Sequence, residues 1–214
     1  MITFEGAEPA CAAGIRTRSE RSTTAGRPLW SASHACLLAA QLLSDLPDRL
    51  AHSLLAGRQA QRVRITVAPA DRELLVAAAV LHDIGYSPAL VQTGFHPLDG
   101  ANYLALLGAP QRLASLVAHH SEARYLAAAR ALDRELSCFR REDGPVMDAL
   151  VYADMTSGPT GAPMTITERL ADIASRHDME DPELFAARLA RVPHLLAAGE
   201  RVQRRSRWTT RKRR

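Results

Sequence analysis

Eight histidines are spread over this 214-residue chain, and five of them lie in its middle: His52, His82, His96, His119 and His120. His82 is followed at once by Asp83, and another acid, Asp154, stands in the run "LVYADM". One histidine on an apolar helix is an ordinary core or surface residue. Five of them, each beside a different apolar segment and accompanied by carboxylates, offer a different chemistry. Neutral imidazole nitrogens and carboxylate oxygens are the donors that Fe, Mn, Zn and similar divalent ions accept, and Asp83, with two oxygens, can serve two ions at once. His34, His177 and His194 stand outside this pattern and read as structural or surface residues.

These donors need a scaffold that brings distant segments together. The chain is 47% hydrophobic and only 5% aromatic, with Ala and Leu prevailing over β-branched residues. That composition favours an all-α protein with one sizeable core. The first helix is expected over His34 to Leu46, stopped by Pro47, and the second over about Asp48 to Arg62. "VRITVAPA" after it has the β-branched residues of a short extended segment. A third helix starts at Asp71 as N-cap and runs to Asp83, with Gly85 placed to end it. The fourth holds Leu98 to Leu107. A fifth opens at Pro110 and covers "QRLASLVAHHSEARYLAAARALDRELSCF", broken once. Pro145 opens the sixth, Thr165 and Glu168 have the spacing of a capping box for the seventh, and Asp181 and Pro182 open the last. His52, His82, His96, His119, His120 and Asp154 thus fall on or beside different helices, and bundle cores are where such ligands converge.

Charge and cysteine content narrow the setting. The net charge is +4, but the last fourteen residues hold eight basic groups and no acid, and residues 1–33 hold four Arg against three Glu, so residues 34–200 carry −5. Residues 1–33 read as a disordered leader, 34–200 as the folded body, and 201–214 as a basic disordered tail. Nucleic-acid contact through that tail, with Trp208 to stack, is the lesser reading because no basic stripe continues into the body. Cys11, Cys36 and Cys138 lie far apart and outline neither a disulfide framework nor a zinc ribbon, which fits a cytoplasmic protein. The longest apolar run, Leu74 to Leu81, falls far short of the roughly 20 residues of a membrane span.

The order of the segments "RLAHS", "LHDIGY", "FHPLDGANYL", "VAHHSEARY" and "YADMTSG" resembles the HD-domain metal-dependent phosphohydrolase superfamily, over about His34 to His177. The resemblance implies an HD-domain helical bundle with two divalent ions per chain, Fe or Mn, with Zn, Mg or others as further options. By the same carry-over, His52, His82, Asp83 and Asp154 hold the first ion. Asp83, His96 and His119 hold the second, with His120 near the substrate or as an alternative ligand. Two departures stand out. Tyr86 occupies the place of the lysine in the common HDIGK form, and only twelve residues separate Asp83 from His96, too few for the GYP insertion of the cyclic-dinucleotide enzymes.

What the resemblance implies is hydrolysis of a small phosphoester or phosphoanhydride, a nucleotide above all. Asp83, His120 and Arg124 are the candidate catalytic residues. The one lysine of the chain is Lys212, so phosphate oxygens must be held by arginines, and Arg124, four residues after His120, is one helical turn along. Pro97 and Gly100 read as architectural, Glu122 as a partner for His119 or a surface acid, and Arg140 and Arg141 as solvated. The ligand set is also similar to that of the diiron oxygenases of the superfamily, and a non-catalytic nucleotide- or metal-sensing module is the third reading. The oligomeric state is not legible.

Overall fold

The structure, a computed structural model, describes residues 30–177 and 181–211. Their order is α1 (Ala32–Leu42), α2 (Pro47–Val63), α3 (Arg72–Leu81), α4 (His96–Leu106), α5 (Gln111–His119), α6 (Arg124–Ala128), α7 (Asp133–Ser137), α8 (Pro145–Met155), α9 (Ile166–Arg176), α10 (Pro182–Ala190) and α11 (Val192–Arg211). No strand occurs among the described residues, where the β-type pairing is an isolated bridge between Ser157 and Pro163. The fold is therefore all-α, as the composition implies.

Helix α3 is the axis of the bundle. Leu75 through Leu81 are all buried, so the helix is apolar on every side, and α1, α2, α5 and α8 pack around it. His82 and Asp83 follow directly, so the end of this buried helix delivers the doublet into the interior. "VRITVAPA" forms two 3-10 turns, Arg64–Thr66 and Pro69–Asp71, rather than the extended segment its β-branched residues suggest. Asp71 makes no cap bond; its carboxylate meets Arg112 at 2.5 Å instead.

Gly85 has another task than ending α3. It lies in a 3-10 turn, Ile84–Tyr86, packed on the start of α4, and a Cβ there would collide with the His96 carbonyl and the Gly100 amide nitrogen. Gly100 faces it, with a Cβ reaching the Gly85 nitrogen at 3.1 Å. The two glycines let two backbones touch, and this contact fixes His96 relative to Asp83. Pro97, in the first turn of α4, starts the helix at His96 itself.

The expected fifth helix is divided more than once. It stops at His119, passes through a turn in which Ser121 (φ 47°) and Glu122 (φ 56°) are left-handed, and breaks again after Ala128, before Ala131 (φ 56°). By contrast, the Thr165–Glu168 capping box of α9 is formed, and Asp181 caps α10.

The C-terminal stretch corrects the reading of 201–214 as a disordered tail. Helix α11 runs on through Arg211, and the stripe Leu195, Ala198 and Val202 is buried. Arg201 and Arg205 close on the buried Asp148 of α8 at 2.6 and 2.7 Å. Residues 212–214 lie outside the described residues, as does the expected leader up to residue 29; residues 30–33 already belong to the start of α1, whose N-cap is Ser31. No helix of the described residues is long and apolar enough to cross a membrane.

Candidate metal centre

Four imidazoles and two carboxylates meet where α2, α4, α8 and the ends of α3 and α5 converge. His52, His82, Asp83, His120 and Asp154 are all buried. Three of the rings are held by the same device. Nδ1 of His52 donates to the Gly158 carbonyl (3.1 Å), Nδ1 of His82 to that of Ala79 (2.8 Å) and Nδ1 of His120 to that of Val117 (2.7 Å). Each bond fixes the tautomer and turns the Nε2 lone pair inward.

The inward nitrogens crowd one another. His52 Nε2 lies 3.2 Å from His82 Nε2, and His96 Nε2 lies 3.3 Å from His120 Nε2. Two imidazole lone pairs at such a separation need a proton or a cation between them. The carboxylates complete the set. Asp154 Oδ1 stands 3.1 Å from His52 and 3.6 Å from His82. Asp83 turns Oδ2 to His82 (3.4 Å) and His52 (3.6 Å), and Oδ1 to His96 (3.3 Å) and His120 (3.8 Å). Donor atoms of His52, His82 and Asp154 lie within 4.8 Å of one another, as do those of His82, Asp83 and His120. Buried, deprotonatable N and O donors at this spacing fit a divalent ion.

The charges follow from this crowding. Burial pushes the Asp83 carboxyl up, but His82 and Arg49 outweigh it and hold it well below the usual carboxylate range; His82 and His52 do the same for Asp154. His82 takes the opposite course: burial opposes its protonation, yet Asp83 and Asp154 raise it to about 9. Burial and the cationic His82 then depress His120 to about 3.

The structure separates the two adjacent histidines in a way the sequence reading did not. His120 enters the cluster. His119 faces away from it, with Nε2 donating to the Phe139 carbonyl at 2.7 Å, because consecutive residues at a helix end point in different directions. Arg124 is likewise elsewhere: the left-handed turn at Ser121 and Glu122 interrupts the helix between His120 and Arg124, so four residues no longer make one turn. Its guanidinium, 40% exposed, pairs with Glu122 at 2.8 Å. Arg141 is paired too, with Asp143 at 2.7 Å.

Several site residues went unnoticed in the sequence. Arg49, one helical turn before His52, donates to Asp83 Oδ2 at 2.7 Å. Its guanidinium lies 4.0 Å over the ring of Tyr86, which stacks on His96 at 4.0 Å. The hydroxyl of Ser121 donates to Asp154 Oδ2, which gives the left-handed turn after the histidine pair a purpose. An open cleft leads to the cluster, and Arg169, Arg176, His177, Arg188 and Arg191 line it alongside Arg49. His177 is therefore a cleft residue.

A helical bundle whose core gathers imidazoles and carboxylates at the foot of a basic cleft defines a protein with a candidate site for divalent metal ions. The family model described as HD domain matches residues 49–180, more than half of the sequence, and the chain belongs to the HD-domain family. Members of that family are mostly metal-dependent phosphohydrolases. Neither the search of curated proteins nor that of solved structures found a match.

Proposed function

We propose that this protein is a metal-dependent phosphohydrolase acting on a nucleotide or another small phosphoester or phosphoanhydride. The observation that carries the reading is the division of labour at Asp83, whose two oxygens face two different pairs of imidazoles. On this reading His52, His82, Asp83 and Asp154 hold one divalent ion, and Asp83, His96 and His120 hold a second, with Fe or Mn the favoured metals. Bound ions supply a water of lowered pKa and a Lewis acid for the phosphoryl oxygens.

The chain's own groups have defined tasks in the hydrolysis. Water oxygen bonds to phosphorus, the bond from phosphorus to the leaving oxygen breaks, and that oxygen departs with a proton. Arg49 lies beside Asp83 at the cleft floor, where its guanidinium can hold a phosphoryl oxygen in place of the lysine that Tyr86 replaces. Tyr86 lines the cleft with 39% of its surface exposed, and its phenol, protonated throughout the neutral range, can donate a hydrogen bond to substrate. Ser121 and the Gly158 carbonyl keep Asp154 and His52 oriented.

Metal analysis by plasma mass spectrometry, run beside a phosphate-release screen and an oxygen electrode, tests this. The expected result is about two ions per wild-type chain, near zero in Asp83→Ala because both sites share that carboxylate, with phosphate release in the wild type alone. Retained stoichiometry in Asp83→Ala overturns the shared carboxylate, and substrate-dependent oxygen uptake without phosphate release would transfer the site to an oxygenase.

A further inference from the structure

The arginines of the cleft are not distributed evenly. Arg49 stands at the metal cluster, whereas Arg169, Arg176, Arg188 and Arg191 come from α9, α10 and the residue that joins α10 to α11. Two of the four are buried: Arg191 is 8% exposed and Arg169 is 5% exposed. Arg191 gives one nitrogen to the Ser121 carbonyl at 3.2 Å, and Arg169 gives one to Asp172 at 2.8 Å. In each the Nε is buried without a hydrogen-bond partner. Arg176 shares the same Asp172, at 2.5 Å, so one carboxylate is set against two guanidiniums.

Arginine in such surroundings is costly. Burial and the neighbouring Arg188 pull Arg191 down to about 10, a base normally charged far above that. Buried donors without acceptors destabilise a fold unless something supplies the acceptors. Asp83 and Asp154 do not neutralise the buried pair of Arg169 and Arg191, because on the reading above both are committed to metal. What would satisfy it is an anion with several oxygens, presented to forked donors.

We infer that Arg169 and Arg191 form a second anion subsite, which holds a further phosphate group of the same substrate molecule whose reacting phosphate lies at the metal cluster. The substrate class is thereby narrowed to compounds with two or more phosphate groups, a nucleoside polyphosphate or a bisphosphate, against simple monoesters. Arg49 at the metal cluster and the pair Arg169 and Arg191 line one and the same cleft. Ser121 links the two halves, its carbonyl accepting from Arg191 and its hydroxyl donating to Asp154.

The inference rests on the phosphohydrolase reading for the position of the reacting phosphate, so the test separates the two. Binding of inorganic phosphate is measured calorimetrically on the full-length chain stripped of metal, then binding of phosphate and pyrophosphate on the metal-loaded chain. Wild type, Arg191→Lys and Arg169→Gln are compared, with circular dichroism as a check on folding. The stripped wild type should bind one phosphate, weakened tenfold or more in either variant. The loaded wild type should prefer pyrophosphate to phosphate tenfold or more, and the variants should lose that preference. No saturable binding to the stripped wild type overturns the subsite, whether or not the variants fold, and so does binding that neither folded variant weakens. Arginine-dependent phosphate binding without a pyrophosphate preference overturns the claim that one molecule spans both places. If both results hold and no phosphoester is cleaved, the subsite stands and the hydrolase reading falls; cleavage of monoesters with no arginine dependence gives the reverse.

Discussion

At the scale of single residues, the sharpest contrast is between His119 and His120, identical in type and adjacent in sequence. His120 has its Nδ1 tied to the Val117 carbonyl and its Nε2 turned to His96 and Asp83, so His120→Ala removes a donor from the cluster and is expected to lower metal content. His119→Ala should leave metal content unchanged. It takes the donor from the Phe139 carbonyl and should reduce unfolding free energy by about 1–2 kcal/mol, the cost of one buried acceptor left unpaired. Metal analysis and urea denaturation of the two variants check this, and metal loss in His119→Ala with retention in His120→Ala would exchange their roles. The histidine pair itself was legible in the sequence, but not which member points inward. That depends on where α5 ends, and its end is set by left-handed Ser121 and Glu122, residues of ordinary type.

At the scale of elements, the site depends on how closely the turn after α3 approaches the start of α4. Gly85→Ala would drive a methyl group into the His96 carbonyl, where the obstacle is backbone rather than a side chain that can swing aside. The expected outcome is a destabilisation of about 2 kcal/mol or more from overpacking, together with weakened metal binding, since His96 moves relative to Asp83. Thermal unfolding and metal titration measure both, and an unchanged Tm would mean the turn is more compliant than the geometry indicates. This contact explains an error of the sequence reading, which treated Gly85 as a helix terminator; a glycine's spacing does not distinguish a turn from a close approach. The helices themselves were legible wherever their signal was local, as with Pro145 at the start of α8 and the Thr165 capping box. The basic wall was not, because Arg169 and Arg188 sit in surface helices and Arg191 at the junction of two, at positions typical of solvated charges, and their convergence on the cleft is a tertiary fact.

At the scale of the whole molecule, the strongly basic C-terminus turns out to be a structural strut up to Arg211. Composition alone counted its charges and missed their positions: Arg201 and Arg205 are four apart, on the face of α11 that also carries Leu195, Ala198 and Val202. They neutralise Asp148, a buried acid on α8, and α8 is the helix that carries Asp154 into the metal cluster. Truncation after Glu200 therefore strands a buried carboxylate and uncovers one side of α8. Removing the partners of a buried charge costs about 3–5 kcal/mol, and the lower end applies because the Arg201 side chain is itself 43% exposed. The truncated chain should unfold at lower denaturant and bind metal less tightly, and Asp148→Asn in the truncated chain should recover part of the loss by removing the stranded charge. Truncation after Arg211 should change neither quantity. Equal denaturation midpoints for the full chain and the chain ending at Glu200 would show that α8 keeps its place without the strut, and the basic residues would then be open for a partner.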